Sequence, residues 1–312
     1  MTPTPIILDC DPGHDDAIAI LLALASPEVE LVGVTTVSGN QTLDKTTGNA
    51  LRVLELAGRG DIPVYAGADA PIVRARDVAA HVHGESGLDG PDLPQPQHAA
   101  QSQHAVEYLA TQFTRSDKPV LVATGPLTNV GLLFATHPGA RPDRIILMGG
   151  AIGEGNRTPA AEFNIWADPE AAQRVFQEGL DTTMVGLDVT HGALIKDEHT
   201  ERMRAAGRVG KVVAELMDFY ARFHKARYPD LDGSPMHDPV CVAYLVDPTL
   251  MDVRDAAIEV DCTTGPSRGR TNVDWRNREH FGAPNAKVGV SIDGDRFAEL
   301  VVDRISSLPA SA

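Results

Sequence analysis

Four aspartates fall within the eight residues Asp9-Cys10-Asp11-Pro12-Gly13-His14-Asp15-Asp16. Carboxylates this close repel one another unless a cation sits among them, and carboxylate oxygens are the ligands that hard divalent cations take. Capping of a helix start accounts for one or two acids. It does not account for four, two of which precede the Pro12-Gly13 turn. The spacing is not that of an EF-hand. A loop starting at Asp9 would need Gly at its sixth position and Glu at its twelfth, where His14 and Ile20 stand.

The elements around this cluster must hold it at a strand end. Pro5 to Cys10 is an apolar run that ends in the acids, and Ala17 to Ala25 is apolar almost all round, as in a buried helix. Strand-like runs follow at 29–37, 62–65, 119–123, 144–148 and 182–187. Helical patterns lie between them at 43–57, 105–113, from about 127, and at 169–178. This alternation predicts crossover connections and an α/β fold: an open, mostly parallel central sheet surrounded by helices. Near-continuous apolar strands fit a sheet covered on both faces. In such sheets ligands bind outside the carboxyl ends of the strands, where the acids lie. The last third reads as helices at 210–227, 240–245 and 295–305 with strands at 256–261, 270–274 and 287–292. Two loops break the pattern, 73–103 and the Gly-rich 151–159; long loops in compact domains are often functional. The segment Gly265 to Pro284 reads as mobile. No interdomain linker is evident, so 1–312 reads as one domain.

Composition excludes several classes. Lys plus Arg is 27 against 43 for Asp plus Glu, a net charge of −16, which argues against nucleic-acid or anionic-membrane partners. No apolar run reaches the roughly 18 residues of a membrane span, and the N-terminus lacks a signal-peptide pattern. Three cysteines, Cys10, Cys241 and Cys262, make no disulfide framework. The expectation is a cytoplasmic protein with reduced thiols. Cys10 and Cys241 read as buried, not as nucleophiles.

With these residues in view, the sequence resembles the inosine-uridine preferring nucleoside hydrolase family. The resemblance rests on Asp9 to Ala17, Val37-Ser38-Gly39-Asn40, His83-Gly84-Glu85-Ser86-Gly87-Leu88 and Ala123-Thr124-Gly125-Pro126-Leu127-Thr128-Asn129. It continues through Leu147-Met148-Gly149-Gly150, Asn156, Glu162-Phe163-Asn164 and Met236-His237-Asp238-Pro239, in the family's order and over most of the chain. It implies hydrolysis of the N-glycosidic bond of ribonucleosides, a Rossmann-like nucleoside hydrolase fold, one Ca²⁺ in the site, and a homodimer or homotetramer.

The resemblance also implies roles. Asp11, Asp16, Asp238 and the Thr124 carbonyl would hold Ca²⁺, with Asp11 also the general base. Asp15 would face the ribose 2′-hydroxyl, and Asn40 and Asn164 the remaining diol oxygens. Asn156 and Glu162 would hold the 5′-hydroxyl, with Met148 beneath the ribose ring. Phe163 flanks the base or packs in the core. His237 would protonate the leaving base, and His83, or His81 two residues earlier, would be a second pocket histidine. Tyr228 is open to three readings: lining the base pocket, relaying a proton, or packing at a helix end. Trp275 reads as a purine-stacking aromatic or as a surface residue. Retention of His83 and His237 resembles the broad or pyrimidine-preferring kind. Two alternatives stand beside this reading. One is a Mg²⁺-dependent phosphatase of the haloacid dehalogenase type with Asp9, in Asp9-x-Asp11, as nucleophile. The other is a non-catalytic nucleoside or ribose binder.

Overall fold

The computed structural model describes residues 2–276 and 282–309. Residues 277–281, within the segment read as mobile, lie outside the described residues. Six parallel strands form the body of one sheet: β1 (Thr4–Cys10), β2 (Val29–Thr36), β3 (Val64–Ala66), β4 (Val120–Ala123), β5 (Arg144–Met148) and β6 (Asp181–Val185). A short antiparallel pair, β7 (Leu194–Ile195) and β8 (Ser234–Pro235), stands apart. The last strands are β9 (Met251–Val260), β10 (Thr271–Asp274) and β11 (Ala286–Ile292). The nine-stranded order is β10-β9-β11-β6-β5-β4-β1-β2-β3. β11 runs parallel to β6, and β9 antiparallel to both of its neighbours.

The alternation of β1 separates two cores. Ile6 and Leu8 point into one apolar cluster and Ile7 into the other. On the first face lie α1 (His14–Ala25) and α2 (Leu43–Leu56), with α3 (Ala80–His83) a single turn in the long loop that follows. The second face takes α4 (Ala105–Phe113), α5 (Thr128–Thr136) and, after the short α6 (Phe163–Ala167), α7 (Pro169–Gln177). Next come α8 (Leu187–Thr190), α9 (Asp197–Arg204), α10 (Arg208–Arg227), α11 (Pro239–Val246) and α12 (Gly294–Ser306). The apolar residues of α1 from Ala17 to Ala23 are all buried, as expected of a helix that is apolar nearly all round.

Strand order reverses at β1. The chain runs outward through β2 and β3, then returns to place β4 on the other side of β1. This switch point opens a crevice at the carboxyl ends of β1 and β4, the place where open parallel sheets bind ligands. The α/β reading therefore holds, with local differences. The run read as a strand to Leu187 stops at Val185. Gly186 caps α8 there, and the Leu187 amide donates to the Gly150 carbonyl. The strand read from Ile62 begins at Val64.

Asp168 ties the second face together. Its carboxylate accepts from Thr128 Oγ1 at 2.7 Å, the Ile72 amide at 2.9 Å and the Ala171 amide at 3.1 Å at the start of α7. Asp168→Ala removes a helix cap and leaves buried donors unpaired. It is expected to cost roughly 3 kcal/mol, read as a lower denaturant midpoint with an unchanged m-value.

Candidate active site

Asp11 follows β1 directly, and its carboxylate is wedged between two glycines. A Cβ on Gly39 would overlap Asp11 Oδ2, and one on Gly125 would lie 2.6 Å from Asp11 Oδ1. Only glycine lets the β2 and β4 loops close over this carboxylate. Asp11 Oδ2 accepts the Asn40 amide at 2.6 Å, while buried Oδ1 has no partner among the described residues. The Pro12-Gly13 turn then starts α1 and sets Asp15 and Asp16 in its first turn. Asp16 accepts from the Gly13 amide at 3.0 Å, Asn40 Nδ2 at 3.2 Å and Thr124 Oγ1 at 2.8 Å. Asp238 comes from the far end of the chain. It stands at the N-terminus of α11 yet makes no side-chain capping bond, so capping does not explain it.

Oxygen atoms of Asp15, Asp16 and Asp238 all lie within 4.8 Å of one another, and all three residues are buried. At that distance two ionised carboxylates repel by roughly 3 kcal/mol at an effective dielectric of about 20. Burial, reinforced by neighbouring acids, pushes Asp15 up to about 7 and Asp11 and Asp238 well above the carboxylate range. Burial also raises Asp16. A divalent cation would reverse these shifts by favouring the ionised forms. The donor set fits one: hard oxygens only, crowded, with the Asp11 oxygen unpartnered. The sequence assigned Asp11, Asp16 and Asp238 to the cation and Asp15 to ribose. In the structure the tightest trio includes Asp15, with Asp11 beside it.

Asp9 is separate from this trio. It is fully buried in β1, accepting from Thr35 Oγ1 at 2.6 Å and Asn129 Nδ2 at 2.8 Å. A carboxylate walled in by β2 and α5 cannot attack an incoming phosphate ester.

Asn164 Nδ2 reaches the Thr124 carbonyl at 2.7 Å and the Met148 carbonyl at 3.2 Å, which fixes the amide at the ends of β4 and β5. Glu162 caps α6, taking the Asn164, Ile165 and Gly150 amides. Burial raises its carboxyl to about 7 despite these donors. Asn156 Oδ1 accepts the Phe163 amide at 2.9 Å, so it braces the loop as well as facing the cavity. One cavity is lined by Asp15, Asn40, Thr124, Met148, Asn156, Glu162, Phe163, Asn164, Tyr228, His83, His237 and Asp238, and His81 also reaches it. His81 is exposed, whereas His83 is buried with its Nδ1 3.2 Å from the His14 amide, which makes His83 the fixed histidine.

Part of the cavity lining is aromatic. Tyr220, Phe223, His224 and Arg227 of α10 line the cavity at helical spacing, and Tyr228 caps that helix. The sequence reading found α10 and pointed to residues 219–235 as pocket loops, but it singled out none of Tyr220, Phe223 and His224, which are helical. The signal of this face was the i, i+3, i+4, i+7 recurrence, which also fits plain core packing. His237 Nδ1 lies 2.7 Å from Thr190 Oγ1, and burial with nearby His191 and His224 keeps its imidazole well below the usual range, so it is neutral. His14 stacks between His83 and Phe219. Trp275 does not line the cavity; Arg254 lies over its ring at 4.9 Å. Cys10 and Cys241 are buried, as expected.

An open parallel sheet with buried carboxylates at its switch point, facing imidazole and phenol rings, defines an α/β enzyme for a small polar substrate. The profile of the inosine-uridine preferring nucleoside hydrolases matches residues 6–299. The pyrimidine-specific ribonucleoside hydrolase RihA of Shewanella sp. (strain ANA-3) is 52% identical over 307 residues, 97% of this chain and 96% of that protein. RihA of Escherichia coli O1:K1 / APEC is 50% identical over 305 residues, 96% of this chain and 98% of that one. Among solved structures, the purine-preferring ribonucleoside hydrolase from Gardnerella vaginalis superposes with a TM-score of 0.92 at 35% identity, covering 99% of this chain and all of that one. The chain belongs to the inosine-uridine preferring nucleoside hydrolase family and is a ribonucleoside hydrolase, acting on N-glycosyl bonds.

Gly39→Ala should push the Asp11 carboxylate out of its slot. The expected result is a kcat for nucleoside hydrolysis reduced at least tenfold, with the variant still folded by circular dichroism.

Proposed function

We propose that this chain is a Ca²⁺-dependent hydrolase that converts ribonucleosides to ribose and free base, with a preference for pyrimidine nucleosides. The observation that carries the reading is one cavity lined by Asp15, Asp238 and His237, with Asp16 clustered on the two acids and Asp11 buried beside them. The C1′–N bond breaks, water supplies hydroxyl to C1′, and the base leaves with a proton. Such bonds break through a cation-like sugar, which carboxylates stabilise.

Asp11, Asp16, Asp238 and the Thr124 carbonyl would hold Ca²⁺, with Asp15 close enough to join them. When bound, the ion favours ionised carboxylates and lowers the pKa of water beside it. Asp11, with one unpartnered oxygen, takes the proton of the attacking water. Asp15, Asn40 and Asn164 bind the ribose diol, and Asn156 and Glu162 its 5′-hydroxyl, above Met148. Phe163 closes the sugar side towards the base. His237, with Nδ1 accepting the Thr190 hydroxyl, carries its proton on Nε2 and donates a hydrogen bond to the departing base; the base takes up its proton from solvent, to which Asp11 returns the one it took from water. His83 and Tyr228 line the same base side.

Pyrimidine preference rests on the RihA relatives and on the presence of both His83 and His237. The reading extends to a single domain, a homo-oligomer (dimer or tetramer) and a cytoplasmic setting, which rest on the family resemblance and composition. Among the described residues no helix is long and apolar enough to cross a membrane.

The test is product analysis with uridine, cytidine, inosine and adenosine, with and without chelator. Free base and reducing sugar, fastest from the pyrimidines and lost on chelation, are expected. Phosphate release from esters, or binding without turnover, would contradict the reading. The diol contacts also predict that 2′-deoxyuridine is cleaved at least a hundredfold less efficiently than uridine, because a missing hydroxyl leaves buried polar groups unpaired.

A further inference from the structure

The short antiparallel pair β7–β8 registers two segments that meet at the active site. Leu194 pairs with Pro235 and Ile195 with Ser234. Just beyond the pair, the Met236 amide donates to the Ala193 carbonyl at 2.9 Å. Gly233 permits this approach: its φ is +153°, and a Cβ there would lie 2.9 Å from the Ile195 carbonyl oxygen. On the other segment, the Ala193 amide donates to the Thr190 carbonyl at 3.1 Å, and the far end of α8 is anchored by the Leu187 amide on the Gly150 carbonyl at 3.0 Å. His237, one residue past Met236, is thereby brought against Thr190. Its Nδ1 lies 2.7 Å from the Thr190 hydroxyl oxygen.

Thr190 is fully buried, and His237 Nδ1 is the one hydrogen-bond partner of its hydroxyl among the described residues. A hydroxyl has one proton to give and lone pairs with which to receive. If Nδ1 carried a proton and donated it to Thr190, the hydroxyl proton would be buried with no acceptor, a state that proteins avoid. With the hydroxyl donating, both groups are satisfied. Nδ1 is then the acceptor, and the single proton of the imidazole sits on Nε2. Nε2 has no partner among the described residues, and His237 lines the cavity.

We propose that Thr190 is a positioning residue for departure of the base: its hydroxyl, seated by the β7–β8 pair, fixes the ring plane of His237 and holds its proton on Nε2. This rests on the hydrolase reading and deepens it. When the C1′–N bond breaks, its electron pair goes to the base, and the charge spreads onto the ring oxygens. Uracil and cytosine both carry a carbonyl oxygen beside the glycosidic nitrogen, so one N–H donor serves both. A lone pair at Nε2 would instead repel that charge. Without the Thr190 hydroxyl, nothing on this side of the ring decides which nitrogen keeps the proton.

The experiment measures kcat and KM of the wild type, Thr190→Val and Thr190→Ser on uridine and on para-nitrophenyl riboside, whose phenolate leaves as a stable anion and needs no hydrogen bond. Val keeps the shape and removes the hydroxyl; Ser keeps the hydroxyl. Thr190→Val is expected to lose at least about tenfold in kcat on uridine, with KM little changed, and no more than about threefold on the phenyl riboside. Thr190→Ser should recover most of the uridine rate. Equal losses on both substrates in Thr190→Val, or an undiminished uridine rate in that folded variant, would overturn the proposal. A second readout needs no turnover: the ¹⁵N shifts of the His237 ring in the wild-type protein, assigned against His237→Gln. They should show the proton on Nε2, and a proton on Nδ1 would overturn the proposal, whether or not Thr190→Val folds. A wild-type protein that cleaves neither substrate would refute the hydrolase reading, and the ring shifts would still decide the role of Thr190.

Discussion

The mutual repulsion of buried carboxylates at the β1–α1 junction is the constraint on which the rest of the site depends. Asp11, Asp15, Asp16 and Asp238 are all nearly inaccessible to solvent. Their charges cannot coexist there without compensation. The protein supplies some of it with the Gly13 and Asn40 amides, the Asn40 side chain and the Thr124 hydroxyl. These donors do not offset the burial, since every one of the four acids is raised. A cluster left with excess negative potential has the chemistry a cation would satisfy.

The fold explains how such an arrangement is reached. Residues from β1, the β2 loop, β4 and α11 meet because strand order reverses at β1 and leaves a crevice there. Glycines at positions 39 and 125 give the backbone room to close on Asp11. The same crevice brings polar groups and the rings of α10 to one cavity. In the proposed reading the sugar hydroxyls meet the carboxylates and amides, and the flat base meets the aromatic rings.

Much of this was legible in the sequence. The acids before and after Pro12-Gly13 announced a strand-to-helix junction, and the alternation of apolar runs announced a parallel sheet with that junction at its carboxyl edge. Asp238 stands on the motif that carried the resemblance, and its position in the cluster matches. Other parts were not legible. Tyr220, Phe223 and His224 share the helical spacing of core residues, and only the three-dimensional path of α10 turns that face towards the cavity. Asp15 and Asp11 are four residues apart, and the sequence does not say which of them lies nearer Asp238. Asn156 and Glu162 both brace backbone amides, a role that any turn or cap residue shares, so composition alone could not separate binding from bracing. Trp275 carried a functional signal by type, but it packs against Arg254 away from the cavity.

Calcium titration of chelator-stripped protein by calorimetry tests the central claim most directly. The wild-type chain is expected to bind one Ca²⁺, with a matching rise in melting temperature, and Asp238→Asn to lose both the heat and the rise. Absence of binding by folded wild-type protein, or unchanged binding in the variant, would contradict the account that these carboxylates are held together for a cation.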